Sequence, residues 1–486
     1  VEWNFNPDRR NEMVLLTLYR NSLLILGVIG IAGCATVEDK PGITDVQAMT
    51  QSRGIQTIQW NRATDTDSQV QTAIRTMLED GLTVEEAIQI ALLNNRDLRS
   101  TYESLRISQA ELVQAGMPKN PVIDGSVRFV SSGGGQILDL GIATDFLDIL
   151  FIPVRKRLAE QEFEKTKRQV AGQVFDLATR VRTTFYKLQA AKQILEIQKK
   201  FLLSYEAAYD LSRRLRAAGN ITLSQTARDQ AALEETKLAL NTLETEVIGF
   251  KEELNVLMGL YGSSTVWETE QTLPELPGVT FDPQALVSQA LQQSLDLQIA
   301  RRNIETAAIR LGITQPMGIL SELEVGATAE READGLWSVG PTLAVPIPII
   351  SQGQPVLAKA ESELHQALNT YYSTAVRIRA VVRTLYAQLQ AARSRTTHLQ
   401  EVILPLKQLI VEESQKQFNA MQLSAFDLLQ AKNDELLTQL QQVQALRDYW
   451  IAYSRLQLAL SGRLVQTEQT STNSFTTPTS TTNGGH

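Results

Sequence analysis

The chain has 486 residues, 43% of them hydrophobic and 21% charged, a net charge of −8 and one cysteine. The acidic balance, with no basic run, argues against a nucleic-acid partner, and a lone thiol excludes an intrachain disulfide and a Cys-based zinc site. Long Gln-, Ala- and Leu-rich tracts with only 6% aromatic residues read as helix-rich.

The first apolar run extends from Met13 to Gly33. Met13 is a plausible start, Arg20 gives a short positive region, and Leu23 to Ile31 is a compact apolar segment followed by small residues, the order of a secretory signal. The alternative is a transmembrane helix. Ile31-Ala32-Gly33-Cys34 resembles a bacterial lipobox, so residues 1–33 read as a lipoprotein signal peptide, with cleavage leaving Cys34 as the site of a covalent lipid. Ala35, in place of Asp, permits an outer-membrane destination, and residues 34–82 read as a lipid-anchored extension. No other segment has the roughly 18 consecutive apolar residues of a spanning helix.

From 83 to 464 the chain reads as two copies of one unit, 83–280 and 281–464, with a period near 200 residues. Ala91-Leu92 and Asp97-Leu98 match Ala290-Leu291 and Asp296-Leu297, and "TFY" at 184–186 matches "TLY" at 384–386. "GNITLSQTARDQA" at 219–231 pairs with "NAMQLSAFDLLQA" at 419–431 through Leu223-Ser224 and Leu423-Ser424. Each unit opens with a helix, near 83–116 and 283–314, ended by Gly116, Pro118 and Pro316.

The hydrophobic period then changes to two. Ile123, Val127 and Phe129 alternate with Asp124, Ser126 and Arg128; after a Gly-rich turn, Leu138, Leu140, Ile142 and Phe146 alternate with Asp139, Gly141, Ala143 and Asp145. In the second unit Leu323, Val325, Ala327 and Ala329 alternate with Glu322, Glu324, Thr328 and Glu330, followed by a second strand from Trp337 to Ile347. These are β-hairpins over 121–150 and 319–349. Gly133 to Gly135 form a hairpin tip, since no Lys follows and no helix begins there.

Long helical hairpins follow, over 155–260 and 354–462. Val174, Val181, Leu188, Leu195, Leu202 and Tyr209 recur every seven residues, as do Val382, Leu389, Ile403 and Ile410, which predicts coiled coils of about 95 Å with a kink at Pro405. The rods turn at Gly219-Asn220 and near Asn419, and residues 465–486 are a polar tail that reads as disordered.

Strands with one apolar and one charged face, about ten residues long, fit a membrane β-barrel with lipid outside and water inside. The lumen-facing residues would be Asp124, Arg128, Asp139, Asp145, Glu322 and Glu324. Four strands cannot close a barrel; three chains would supply twelve. His365 and Glu361 stand one helical turn apart but have no third ligand, so no metal site is assigned, and no nucleophile, base and orienting group occur together, which argues against an enzyme.

The chain resembles the TolC-like outer-membrane efflux factor family, in its outer-membrane lipoprotein branch. The residues that carry the likeness are "LTVEEAIQIALLNNRDLR" (82–99), "QAGMPKNPVI" (114–123), "VGPTLAVPIPIISQGQ" (339–354), the two interhelical turns and the duplication. The resemblance implies a homotrimer with a twelve-stranded outer-membrane barrel, continued by a periplasmic α-helical barrel and coupled to an inner-membrane pump through a periplasmic adaptor protein. It implies gated, passive passage of small molecules or metal ions, with no cofactor beyond the lipid on Cys34. Carried onto this sequence, the periplasmic gate falls on Leu423 and Asp427, where three facing carboxylates would repel one another and attract cations; Gln430 stands where some members have a second Asp. Adaptor contacts fall on Gly219, Asn220, Thr222, Ser224, Asn419, Ala420, Met421 and Ser424. A protein-secretion duct and a non-conducting periplasmic scaffold are the alternatives.

Overall fold

A computed structural model describes residues 36–464 apart from 56–57, 61–65, 80, 130–134, 271, 279–280, 318–322, 346–348 and 350–351. The signal peptide, Cys34 and the polar tail lie outside the described residues, as do Glu322 and most of the first hairpin tip. Among the described residues, no helix is long and apolar enough to cross a membrane.

Two short helices, α1 (Ile43–Gln51) and α2 (Thr66–Glu79), come first. They are part of the body and not an appended arm. Val46, Ile58, Trp60 and Ile74 are buried in one cluster with Leu98 and Tyr102 and with Val170, Val174 and Val181 of the first rod. The Trp60 indole donates to Glu103 (3.2 Å), and Lys167 reaches out of the rod to Asp45 (2.6 Å).

The opening helix of each unit is broken in two. α3 (Val84–Asn94) gives way to α4 (Arg96–Ala115) at Asn95, and α8 (Pro283–Gln293) to α9 (Leu295–Met317) at Ser294. At each break the side chain satisfies an orphan amide of the next helix, Asn95 accepting from Leu98 N–H (2.8 Å) and Ser294 from Leu297 N–H (3.0 Å). The breaks also receive the ends of the returning rods. Asn94 donates to the carbonyls of Met258 (3.0 Å) and Gly259 (2.7 Å), and Asn95 to that of Leu257 (2.9 Å). In the second unit Leu295 N–H donates to the Gly462 carbonyl (2.8 Å). There Arg463 is clamped by Asp176 (2.9 Å) of the first rod and Asp296 (2.6 Å) of α9. The duplicated halves are thus fastened at equivalent points.

Between opening helix and rod, each unit inserts a hairpin, β1 (Val122–Phe129) with β2 (Gln136–Asp145), and β3 (Glu324–Arg331) with β4 (Trp337–Ala344). The four strands form one antiparallel sheet in the order β1-β2-β3-β4. One boundary differs from the alternation pattern. Phe146 begins a five-residue helix, α5 (Phe146–Leu150), because Asp145 caps it by accepting from the Asp148 N–H (3.2 Å).

The first rod, α6 (Ile152–Ala217), is one helix of 66 residues, about 100 Å long, and α7 (Leu223–Met258) returns along it. Its counterpart is divided into α10 (Gln354–His398), a π turn at Leu399–Ile403, and α11 (Leu404–Asn419), with α12 (Ala425–Leu460) returning. The π turn lies just before Pro405, whose ring displaces the carbonyl four residues back and removes a donor, so the predicted kink appears as a widened turn. The seven-residue stripe is buried at Val174, Val181 and Leu188, but Leu195, Leu202 and Tyr209 are only half buried. There Ile194, Ile197, Ser204 and Ser212 take the inner face. Beyond the π turn Leu406 and Ile410 are exposed.

Candidate functional site

Register decides what the sheet presents. Ser126 pairs with Asp139, Asp139 with Glu330, and Glu330 with Ser338, so these four residues form one row on one face. The neighbouring rows of that face hold Asp124, Gly141, Thr328 and Gly340 on one side and Arg128 on the other. Asp145 and Glu324 pair at its lower end. Among the described residues the face therefore carries five carboxylates and one guanidinium.

Arg128 spans the central row, reaching Asp139 (2.6 Å) and Glu330 (3.4 Å), while the Ser126 hydroxyl also donates to Asp139 (2.8 Å). The Asp124 carboxylate occupies the space above Gly141, where any Cβ would collide with it. The opposite face carries Ile123, Val127, Phe129, Leu140, Ile142, Val325, Trp337, Val339 and Leu343, all exposed. Ile123 is 76% exposed and Val339 77%, values a water-soluble sheet avoids. Strands of eight to ten residues reach about 26–33 Å along their length, or about 20–25 Å across a membrane at a tilt of about 40°, close to the roughly 25 Å apolar band of membrane barrels. β1 and β4 each pair on one side only, so the sheet is open at both edges.

Asp124, Arg128, Asp139, Asp145 and Glu324 thus share one face, as their alternation with apolar residues implies. Ser126 and Glu330 complete the central row; their alternation with Val127 and Ala329 is the signal that points to them. Asp145 has a second role as the cap of α5, and Lys119 stands 3.7 Å from it.

The far ends of the rods carry the other expected residues. Both turns have the same hydrogen-bond pattern, Gly219 N–H to Arg216 and Asn220 N–H to Leu215 in one, Met421 N–H to Phe418 and Gln422 N–H to Gln417 in the other. Gly219 (φ 77°) is therefore the equivalent of Met421 (φ 61°), both in the left-handed region. Thr222, which caps α7 through Gln225 N–H (3.2 Å), is the equivalent of Ser424, which caps α12 through Asp427 N–H (3.2 Å). The offset at the turns is 202 residues, so pairing Ser224 with Ser424 by sequence identity is corrected: Ser224 lies inside the first turn of α7. A π turn represents one inserted residue, and the one at Leu399–Ile403 accounts for half of the drift from 200.

Gly219, Asn220, Thr222, Ser224, Asn419, Ala420, Met421 and Ser424 are all exposed, Met421 to 95%. Asp427 is exposed in the first turn of α12, and its carboxylate accepts from the Ser424 hydroxyl (2.7 Å); Leu423 is half buried in the turn before it. Glu361 and His365 are exposed on α10, and no metal-binding group of three or more His, Cys, Asp or Glu occurs among the described residues.

The family described as "Outer membrane efflux protein" matches residues 152–260, the first rod and its return. The cation efflux system protein CusC of Escherichia coli K12 is 22% identical over 307 residues, covering 59% of this chain and 66% of that protein. The probable outer membrane lipoprotein SilC of Salmonella typhimurium is 22% identical over 310 residues with the same coverage. The chain thus spans just under two thirds of the length of these curated relatives. Among solved structures, the outer membrane protein VceC of Vibrio cholerae superimposes with a TM-score of 0.63 at 18% identity, over 78% of this chain and 96% of that one. The duplicated hairpins, the open four-stranded sheet and the paired rods are thus the fold of this solved outer-membrane protein, and the first rod with its return is similar to the outer membrane efflux protein family.

Proposed function

We propose that this protein is the outer-membrane channel of a tripartite efflux system, a homotrimer that gives gated passive passage to small molecules or metal ions. The observation that carries the reading is the two-faced open sheet above a rod of about 100 Å. Three copies joined edge to edge would close twelve strands, turning the carboxylate face to a water-filled lumen and the aliphatic face to lipid. The rods would continue the conduit through the periplasm. Energy would come from an inner-membrane pump, reached through a periplasmic adaptor that meets the exposed turns around Gly219 and Met421. Purified protein in planar bilayers should give trimer-sized conductance steps. A monomer without conductance would support the scaffold alternative, and passage of an unfolded polypeptide would favour a secretion duct.

Closure would lie at the tips, where Leu423 narrows the passage and three Asp427 carboxylates attract cations. The bond from Ser424 supplies a purely local reason for an acid at 427, so the test must be electrical. Asp427→Asn should lower cation preference and change conductance; unchanged single-channel behaviour would remove Asp427 from the gate.

The lipid on Cys34 fits the same frame. Asp39 lies 4.0 Å from Arg106 on α4. From Arg106 the helix rises about 13 Å to its end at Ala115, beside the strands. The five residues from Cys34 to Asp39 reach at most about 17 Å, enough for an acyl anchor to meet the inward-facing leaflet. Labelled palmitate should enter the wild type and not Cys34→Ser, while the variant with a cleavable signal should still conduct.

A further inference from the structure

The helix α5 lies where the sheet ends and the first rod begins. We infer that it is a membrane-surface foot: Phe146, Ile149 and Leu150 enter the inward-facing leaflet of the bilayer, and Asp148 bolts the opposite side of the helix to the protein. The inference rests on the barrel reading above and adds to it a lipid contact and a depth.

The spacing of the three residues, i, i+3 and i+4, puts them on one side of a helix. They are 50%, 44% and 62% exposed, whereas Leu147 and Asp148 between them are buried. Phe146 keeps the two-residue register of Leu140 and Ile142, with Thr144 between Ile142 and it, and its N–H still donates to the Leu323 carbonyl (3.1 Å). The foot therefore lies on the aliphatic side of the sheet, one polar position, Thr144, beyond Ile142.

Five residues do not hold a helix in water by themselves. Here the Asp148 carboxylate receives Arg155 (2.5 Å) and Lys119 (3.3 Å), and Arg155 also donates to the Met117 carbonyl (3.1 Å). These bonds tie α5 to both the end of α4 and the start of α6. A device this well fastened that presents three large apolar side chains outward needs a cover.

Lipid is the occupant that the topology selects. α5 follows β2, an inner strand paired on both sides, whereas further copies of the chain would join at β1 and β4. The cations fit as well. Lys156 and Arg157 are exposed within the same junction, at the level where phospholipid phosphates would lie below an apolar band.

The test is a depth measurement on full-length protein in vesicles of phosphatidylethanolamine and phosphatidylglycerol. Single nitroxide labels are placed through Leu150→Cys, Leu140→Cys on the aliphatic face of β2, and Glu206→Cys on the exposed side of the rod, each in a Cys34→Ser background. Collision with oxygen is compared with collision with a water-soluble nickel chelate. The foot predicts an oxygen-to-chelate ratio at position 150 several-fold above that at 206 and below that at 140. A ratio at 150 equal to that at 206, with 140 still lipid-like, would overturn the foot and leave the barrel standing. Shielding of 150 from both reagents would mean that protein covers it, which also overturns the inference. Chelate access at 140 would overturn the barrel reading itself.

Discussion

Met421 is the one non-glycine among the described residues with positive φ, at a turn whose twin uses Gly219. A side chain costs about 1 kcal/mol or more in this conformation, so Met421→Gly should stabilise the second tip by roughly that amount, and Gly219→Ala should destabilise the first although open space surrounds it. Hydrogen exchange at the two turns measures both. Lys167 and Glu164 set a second expectation. Burial works against the charge on Lys167, but the hydrogen bonds from its ammonium to Asp45 and Glu164 prevail, and its pKa lies above the ordinary lysine range. Burial likewise disfavours ionised Glu164, and the hydrogen bonds from Arg168 and Lys167 outweigh it, so its pKa is lowered. The lysine contribution is complete below the unfolded pKa of about 10.4 and is lost as pH rises through the higher folded value. The glutamate contribution is present above about 4.3 and is lost as pH falls through the lower folded value. Exchange protection of α1 should therefore hold across the neutral range and fall on both sides, and Lys167→Met should flatten the alkaline limb.

Elements are fastened where the opening helices break. Asn95→Ala removes both a helix cap and a buried donor to Leu257, and should cost about 2 kcal/mol. Arg463→Ala leaves Asp176 and Asp296 facing each other across a largely buried junction. A loss of about 2–3 kcal/mol is expected, read as a lower thermal midpoint in detergent, whereas Lys416→Ala on the exposed tip should change little. At this scale much was legible in the sequence. The two-residue alternation around Asp139 and Glu324 marked the strands, and the seven-residue stripe through Val174 and Val181 marked the rods. The breaks were not legible, because Asn95 and Ser294 sit inside continuous apolar periodicity and act only through a local cap. α5 was hidden for a related reason: Phe146 satisfies the strand alternation, and only the cap from Asp145 turns the chain. At the turns the shared Leu-Ser dipeptides misled. Hydrogen-bond geometry aligns Thr222 with Ser424, and identity over two residues carries less information than a capping pattern.

In the proposed channel one chain joins two solvents. Its sheet sorts carboxylates from aliphatics across four strands and leaves both edges open, its first rod is about 100 Å long, and its N-terminal helices lock into the same core from which the rods rise. The sorting is the central claim, because a scaffold needs no polar face enclosed by an apolar one. Neighbouring residues of β2 test it directly. With Asp139→Cys and Leu140→Cys proteins reconstituted in planar bilayers, a charged, water-soluble thiol reagent should step down the current through the first and leave the second unchanged. Block at both positions, at neither, or at Leu140→Cys alone would contradict a lumen lined by the carboxylate face.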